Sequence, residues 1–88
     1  MDRYEKRTPK HTFVLEVLHD GTLREYEPSN PEDAWGGAWS RELVSGEMPG
    51  WRLHLTIGKH RTVVHLDLVD GGYHGVEDGS VPIRLVPL

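Results

Sequence analysis

Cysteine is absent from this 88-residue sequence, and several other features that would narrow its function are scarce. Without cysteine the chain has no disulfide, thiolate zinc site, iron-sulfur cluster or cysteine nucleophile. No apolar run approaches the roughly 18 residues that a membrane-spanning helix requires, and the first residues lack the apolar stretch of a secretory signal. We therefore expect a cytoplasmic protein that does not associate with membranes.

Familiar catalytic and nucleotide-binding motifs are also lacking. No serine lies in a G-x-S-x-G context, and the glycine pairs at 36–37 and 71–72 match neither the dinucleotide-binding nor the Walker pattern. The formal net charge of −4 argues against general affinity for nucleic acid. A mass of 10.0 kDa fits a single small domain, for which we expect no cofactor.

Charge is distributed unevenly along the chain. The segment from residue 16 to residue 47 contains eight acidic residues and two arginines, which gives it a local charge of −6. Such a stretch is either a solvated surface or an acidic face that attracts a basic partner. Residues 1–10 are basic and end near Pro9. We expect them to form a flexible basic tail, followed by one α+β domain over residues 11–88.

The first hairpin is predicted around Asp20-Gly21, with strands rich in β-branched and aromatic residues on either side. Two registers compete. A two-residue turn places Glu16 opposite Glu25, whereas a three-residue turn places Glu16 opposite Arg24 but points Glu25 toward the apolar face. Burying an unpaired carboxylate costs several kcal/mol, roughly 2–7 for a polar group and more for a charge, so the sequence favours the two-residue turn.

A helix is predicted to begin at Asn30, the N-cap, with Pro31 in the first helical position. Gly46 would end it. Two glycines, at 36 and 37, lie inside this segment and cost about 2 kcal/mol relative to alanine, so the helix is irregular there or another backbone approaches closely. The apolar stripe of the helix consists of Trp35, Ala38, Trp39 and Leu43.

A second hairpin follows, in which residues 51–57 alternate between apolar and polar side chains. A two-residue turn at 58–59 would pair Leu55 with Thr62 and Leu53 with Val64. Residues 73–80 are interpreted as a glycine-rich loop, and residues 81–86 as an edge strand because Pro82 has no amide hydrogen.

These elements predict an α+β fold: an antiparallel sheet in the order β-β-α-β-β-β with one helix packed on one face. A sheet curled toward a small barrel, with the helix as its lid, is the competing architecture.

Three residues of the second hairpin form a candidate metal site. In the register above, His54, His65 and Asp67 share the solvent face, where two imidazoles and a carboxylate have the chemistry to bind a divalent metal ion. Arg52 would lie opposite His65 and oppose such binding, which makes a plain polar surface the alternative.

The leading functional hypothesis is a small non-catalytic binding or regulatory protein of the inhibitor, immunity or accessory type. It would contact another protein, basic in character, or a second copy in a homodimer. Tryptophan is common at binding hot spots, although the same side chains also suit a core. The predicted contact residues are Trp35, Trp39, Glu25, Glu27, Glu32 and Asp33. The alternative is a small metal- or ligand-binding enzyme that uses His54, His65 and Asp67.

Overall fold

Eight β-strands account for most of the residues that the computed structural model describes, which are 2–45, 50–57, 62–69, 72–77 and 80–88. Each strand pairs antiparallel with the next, and β1 also pairs with β8, so the sheet closes into a barrel. The strands are β1 (Asp2–Arg7), β2 (Thr12–Val17), β3 (Thr22–Glu27), β4 (Asn30–Val44), β5 (Gly50–Ile57), β6 (Thr62–Val69), β7 (Gly72–Glu77) and β8 (Val81–Pro87).

The predicted α+β fold is wrong, because the described part of the chain contains no helix. The segment predicted as a helix is the long strand β4, whose first half pairs with β3 and whose second half pairs with β5. Trp35 and Trp39 are four residues apart, a spacing that keeps two side chains on one side of a strand as well as of a helix. The predicted helix end at Gly46 lies outside the described residues.

Gly37 marks the point where β4 has neighbours on both sides. It lies opposite Leu23 on β3 and opposite Ile57 on β5. A Cβ at this position would overlap the backbone carbonyl oxygen of Thr56, whereas a Cβ on Gly36 would meet nothing within 4 Å. One of the two explanations for the glycine pair was that another backbone approaches closely. This is the case at Gly37, although the segment is a strand and not a helix.

The barrel interior is filled by aliphatic side chains that alternate along the strands. Among the described side chains, five leucines are fully buried, and each contributes about 1.5–3 kcal/mol through burial. An eight-stranded barrel is just wide enough for side chains to fill its interior, and Tyr4 and Trp39 pack against this core from its margins. The described part of the core consists of Leu15, Val17, Leu23, Leu53, Leu55, Leu66, Tyr73, Ile83 and Leu85.

Two strands lie where the sequence favours other structures. Residues 2–7, part of the segment expected to be a flexible tail, form β1 between β2 and β8. Residues 72–77 form β7, so the loop interpretation of this region is wrong. Both strands carry few apolar residues, and Lys6 of β1 points into the barrel, where it is 3% exposed.

The first hairpin has the register that the sequence argument rejects. Leu15 lies opposite Glu25, and Glu16 lies opposite Arg24. The Leu18 amide donates to the Thr22 carbonyl, which leaves a three-residue turn that ends at Gly21, with a φ of 88°. Glu25 consequently points into the barrel. The burial penalty that argued against this register is offset by a paired ammonium, described below.

The second hairpin keeps its predicted apolar face but shifts its register by two residues. Leu55 lies opposite Val64 and Leu53 opposite Leu66, instead of opposite Thr62 and Val64. A shift of two preserves the side on which each side chain lies, because the strand period is two residues. The predicted turn at 58–59 falls outside the described residues.

Candidate functional site

Two aromatic rings pack against each other at the end of the barrel where β2 begins, which we call the Trp35 end. Phe13 of β2 and Trp35 of β4 are both half-buried, and their ring centroids lie 6.1 Å apart at an interplanar angle of 70°. The His11 ring extends the group, with its centroid 5.8 Å from that of Phe13. Edge-to-face packing of this kind stabilises aromatic pairs beyond simple burial. The result is an apolar platform at the barrel surface.

A buried ion pair lies directly beneath this platform. The Nζ of Lys6 is 2.8 Å from Oε1 of Glu25, and both side chains are about 5% exposed or less. The same ammonium lies 5.6 Å from the Phe13 ring centroid, within the range of a cation-π interaction. Charges taken out of water require such paired and hydrogen-bonded partners, and Lys6 supplies the partner that Glu25 needs.

Glu77 of β7 adds a second carboxylate to this pair. Its Oε2 lies 3.5 Å from the Lys6 Nζ, and its side chain is 22% exposed. Lys6 is thus shared between a buried carboxylate and one that reaches solvent. Together, these three side chains carry a formal charge of −1.

The rim of the Trp35 end is acidic. Glu27 ends β3 and lies opposite Asn30, and Glu32 and Asp33 follow on β4; all three carboxylates are exposed. The register between β3 and β4 is irregular between Glu25 and Glu27, which gives this hairpin the geometry of a bulge. We call Glu27, Glu32 and Asp33 the acidic hairpin. It lies two residues along β4 from the half-buried Trp35.

Trp39, the second predicted anchor, lies away from the Trp35 end and is tied to the first hairpin. Its indole Nε1 donates to the Leu18 carbonyl oxygen at 2.7 Å, and its amide donates to the Gly21 carbonyl oxygen at 2.9 Å. The ring also packs against the core. These contacts assign Trp39 a structural role in holding the turn against the barrel.

A second carboxylate, Glu16, is buried on the outer face of the barrel. Its Oε2 accepts hydrogen bonds from the Arg3 Nη2 at 2.9 Å and from the Tyr26 hydroxyl at 3.3 Å, while its Oε1 lies 3.3 Å from the Arg24 Nη1. Two guanidinium groups thus flank one carboxylate across three neighbouring strands. These donors supply hydrogen bonds to both oxygens of the Glu16 carboxylate, whose side chain is 7% exposed.

The predicted metal site is only partly within the described side chains. In the backbone register, His54 lies directly opposite His65, and Arg52 lies opposite Asp67. The His54 Nε2 is 2.8 Å from Oε1 of Glu42, a neighbour that sequence reasoning did not identify. The side chains of His65 and Asp67 lie outside the described part. Within that part, no group of three metal-binding side chains occurs.

Sequence reasoning predicted Trp35, Glu27, Glu32 and Asp33 as contact residues, but it did not place Lys6, Phe13 and Glu77 at the same end of the barrel. The lysine was assigned to a tail, and the glutamate to a loop. An available signal was the alternation of Tyr4 and Lys6 with charged neighbours, which is the pattern of a strand with one polar inward position.

Comparison with protein-family models, with curated proteins and with solved structures finds no match for this chain. Among the described residues, no helix is long and apolar enough to cross a membrane.

Proposed function

We propose that this chain is a small non-catalytic binding protein that recognises a basic partner protein through the Trp35 end. The observation that carries the proposal is the position of a half-buried tryptophan next to three exposed carboxylates. Protein interfaces typically combine an aromatic anchor with a polar rim. The acidic hairpin provides the rim, and the Phe13 and Trp35 rings provide the anchor.

The two parts of this surface contribute differently to binding. Exposed carboxylates attract a basic surface over distance and raise the association rate, an effect that salt screens. A tryptophan that becomes fully desolvated in the complex contributes to the lifetime of that complex, and its truncation costs about 2 kcal/mol or more at a hot spot. Salt is therefore expected to weaken the contribution of the acidic hairpin to binding, whereas the contribution of Trp35 should not depend on salt.

The buried charges support a binding role over a catalytic one. Lys6 is engaged by Glu25 and Glu77, and Glu16 is engaged by Arg3 and Arg24. Among the described side chains, every buried polar atom has a hydrogen-bond partner. A general acid or base needs a group directed at a substrate, whereas these groups are directed at one another and stabilise the scaffold beneath the surface.

Affinity capture from native cells, followed by kinetics with the captured protein, tests the proposal. We compare the wild-type chain with Glu32→Lys/Asp33→Lys, with Trp35→Ala, and with Asp2→Lys/Glu42→Lys, which makes the same charge change at exposed acids outside the acidic hairpin. We expect the wild-type chain and the control variant to capture a basic protein that the first two variants bind much more weakly. Trp35→Ala is expected to weaken its binding roughly 30-fold.

Circular dichroism establishes that each variant is folded before its binding is compared. Equal retention of the captured protein by all four chains, or capture of no protein, would overturn the proposal.

A divalent cation site is the second candidate function, and the register of the second hairpin favours it. His54 and His65 are directly opposite each other, and Arg52 lies opposite Asp67 instead of His65. The arginine that was expected to oppose metal binding therefore lies two residues along β5 from the histidine pair. Zinc titration of the untagged chain tests this. Near-stoichiometric binding that His54→Ala abolishes and His19→Ala preserves supports the site, and absence of a zinc-dependent change in Tm excludes it.

A further inference from the structure

A concave groove lies on the outer surface of the barrel, away from the acidic hairpin. It has a volume of about 440 Å³ and runs along β7 and β8 beside the loop that follows β1. This volume lies in the range of small-molecule sites, roughly 300–1,000 Å³. We call it the β8 groove.

Three basic side chains line this groove in a single row. Arg84 of β8 lies opposite Arg7 of β1 on one side and opposite His74 of β7 on the other. All three are exposed and point away from the core. Like charges directly opposite each other in a sheet are unfavourable. Arg7 and Arg84 place two guanidinium charges directly opposite each other, so an anion bound between them would be favourable.

Acidic groups close to the row neutralise it only in part. The Arg7 Nε is 2.5 Å from Oε1 of Glu5, so this guanidinium is already paired. The backbone of Asp67 lies opposite His74 on the side away from Arg84. Among the described residues, Arg84 at the centre of the row takes part in no ion pair.

The wall of the groove is held in place by its own hydrogen bonds. The Thr8 hydroxyl donates to the His11 carbonyl oxygen at 3.0 Å and accepts from the His11 amide at 2.9 Å. Pro9 and Pro82 line the groove as well and contribute rigid apolar surface. The groove thus combines two arginines and a histidine with an apolar portion on a fixed backbone.

We propose that the β8 groove binds a small organic molecule that carries a phosphate group. The phosphate oxygens would accept hydrogen bonds from the Arg84 and Arg7 guanidinium groups and from His74, since arginine forks match phosphate geometry. The organic part would lie against Pro9 and Pro82. A groove of this volume exceeds what an inorganic phosphate fills, and the net charge of −4 disfavours a nucleic-acid backbone.

Calorimetry and NMR titration of the full chain with phenyl phosphate test the proposal, with inorganic phosphate and benzoate as comparison ligands. Phenyl phosphate is expected to saturate a site whose shift changes centre on Arg84 and His74, and to bind more tightly than either comparison ligand. Arg84→Gln should weaken binding roughly tenfold. Arg24→Gln, the same change on the far strand β3, should leave binding unchanged.

Thermal unfolding supplies a second readout that does not depend on activity. Without ligand, Arg84→Gln should match or exceed the wild-type Tm because it relieves like charges. Phenyl phosphate should raise the Tm of the wild type and of Arg24→Gln by more than it raises the Tm of Arg84→Gln.

Three results would overturn the proposal: no saturation in the millimolar range, equal binding by the Arg84 and Arg24 variants, or benzoate binding as tightly as phenyl phosphate. Tighter binding of a single-stranded oligonucleotide, lost in Arg84→Gln, would reassign the groove to nucleic acid.

Discussion

Lys6 and Glu25 form an ion pair inside the barrel, with 2.8 Å between the Nζ and Oε1 atoms, although they lie on strands that do not pair with each other. Strand β2 lies between them, with Phe13 opposite Lys6 and Leu15 opposite Glu25, so the two side chains meet across β2 inside the barrel. The contact joins the N-terminal strand to the strand that carries the start of the acidic hairpin. It therefore links the closure of the barrel to the geometry of the Trp35 end.

Removal of one member of this pair should be far more harmful than removal of both. Lys6→Met leaves Glu25 buried without its cation and should lower the free energy of unfolding by about 3–5 kcal/mol. The double variant Lys6→Met/Glu25→Leu should recover most of that loss, because an apolar pair of similar volume replaces the ions. Urea unfolding measures both values, and a double variant less stable than Lys6→Met would contradict the arrangement.

Substitution by alanine should destabilise the protein at one of two adjacent glycines of β4 but not at the other. Gly37→Ala should destabilise the protein by about 1–3 kcal/mol, because the new methyl group overlaps the Thr56 carbonyl oxygen. Gly36→Ala provides the matched control, since its methyl group enters open space. Thermal unfolding of the two variants measures the difference. Equal stability of both would show that β4 and β5 do not approach each other as described.

The first hairpin should contribute to stability in a pH-dependent way. The Thr22 hydroxyl and amide donate hydrogen bonds to Asp20 that hold the pKa of this carboxyl below its ordinary value. The folded state therefore binds the Asp20 proton less readily than the unfolded state, so this contribution is present above the unfolded pKa and is lost as pH falls through the folded pKa.

Thr22→Val removes the side-chain donor, so the stability advantage of the wild type over this variant should be present at neutral pH and shrink under acidic conditions. Urea unfolding across a pH series measures this difference. An advantage that is constant or grows on acidification would be inconsistent with the Asp20 interaction.

Glu16 should tolerate the loss of either arginine better than the loss of both. Arg3→Gln and Arg24→Gln each leave one guanidinium on the carboxylate, so each should cost about 1 kcal/mol or less, as is usual for half-exposed pairs. The double variant leaves a buried carboxylate with only the Tyr26 hydroxyl, and should cost more than the sum of the single changes. A double-mutant cycle from chemical unfolding detects this non-additivity, and strict additivity would exclude the shared role.

The sequence allowed several strands and both early hairpins to be predicted, but it did not distinguish a helix from β4. Trp35 and Trp39 have a spacing of four, which fits one face of either element. Asn30 and Pro31 added a local helix-start signal that tertiary pairing overrode. The two glycines at 36 and 37 were the contrary evidence, since they are poor in a helix and useful where strands approach closely.

The sequence predicted neither the position of β1 nor the register of the first hairpin, and both failures have the same physical reason. A strand whose inward residue is Lys6 lacks the apolar alternation by which strands are identified. With Lys6 assigned to a tail, Glu25 had no visible partner, and the cost of burying it excluded the correct register. Paired buried charges are contacts between distant segments, and no local pattern reports them.

The Trp35 end and the β8 groove both depend on β1 lying between β2 and β8, because Lys6 supports the Trp35 end and Arg7 lines the β8 groove. The most direct test is the pattern of cross-strand nuclear Overhauser effects in the full chain. The account predicts backbone contacts of Glu5 with Val86, together with side-chain contacts between Lys6 and Phe13. Random-coil shifts over residues 2–7, with no contacts to β8, would contradict it.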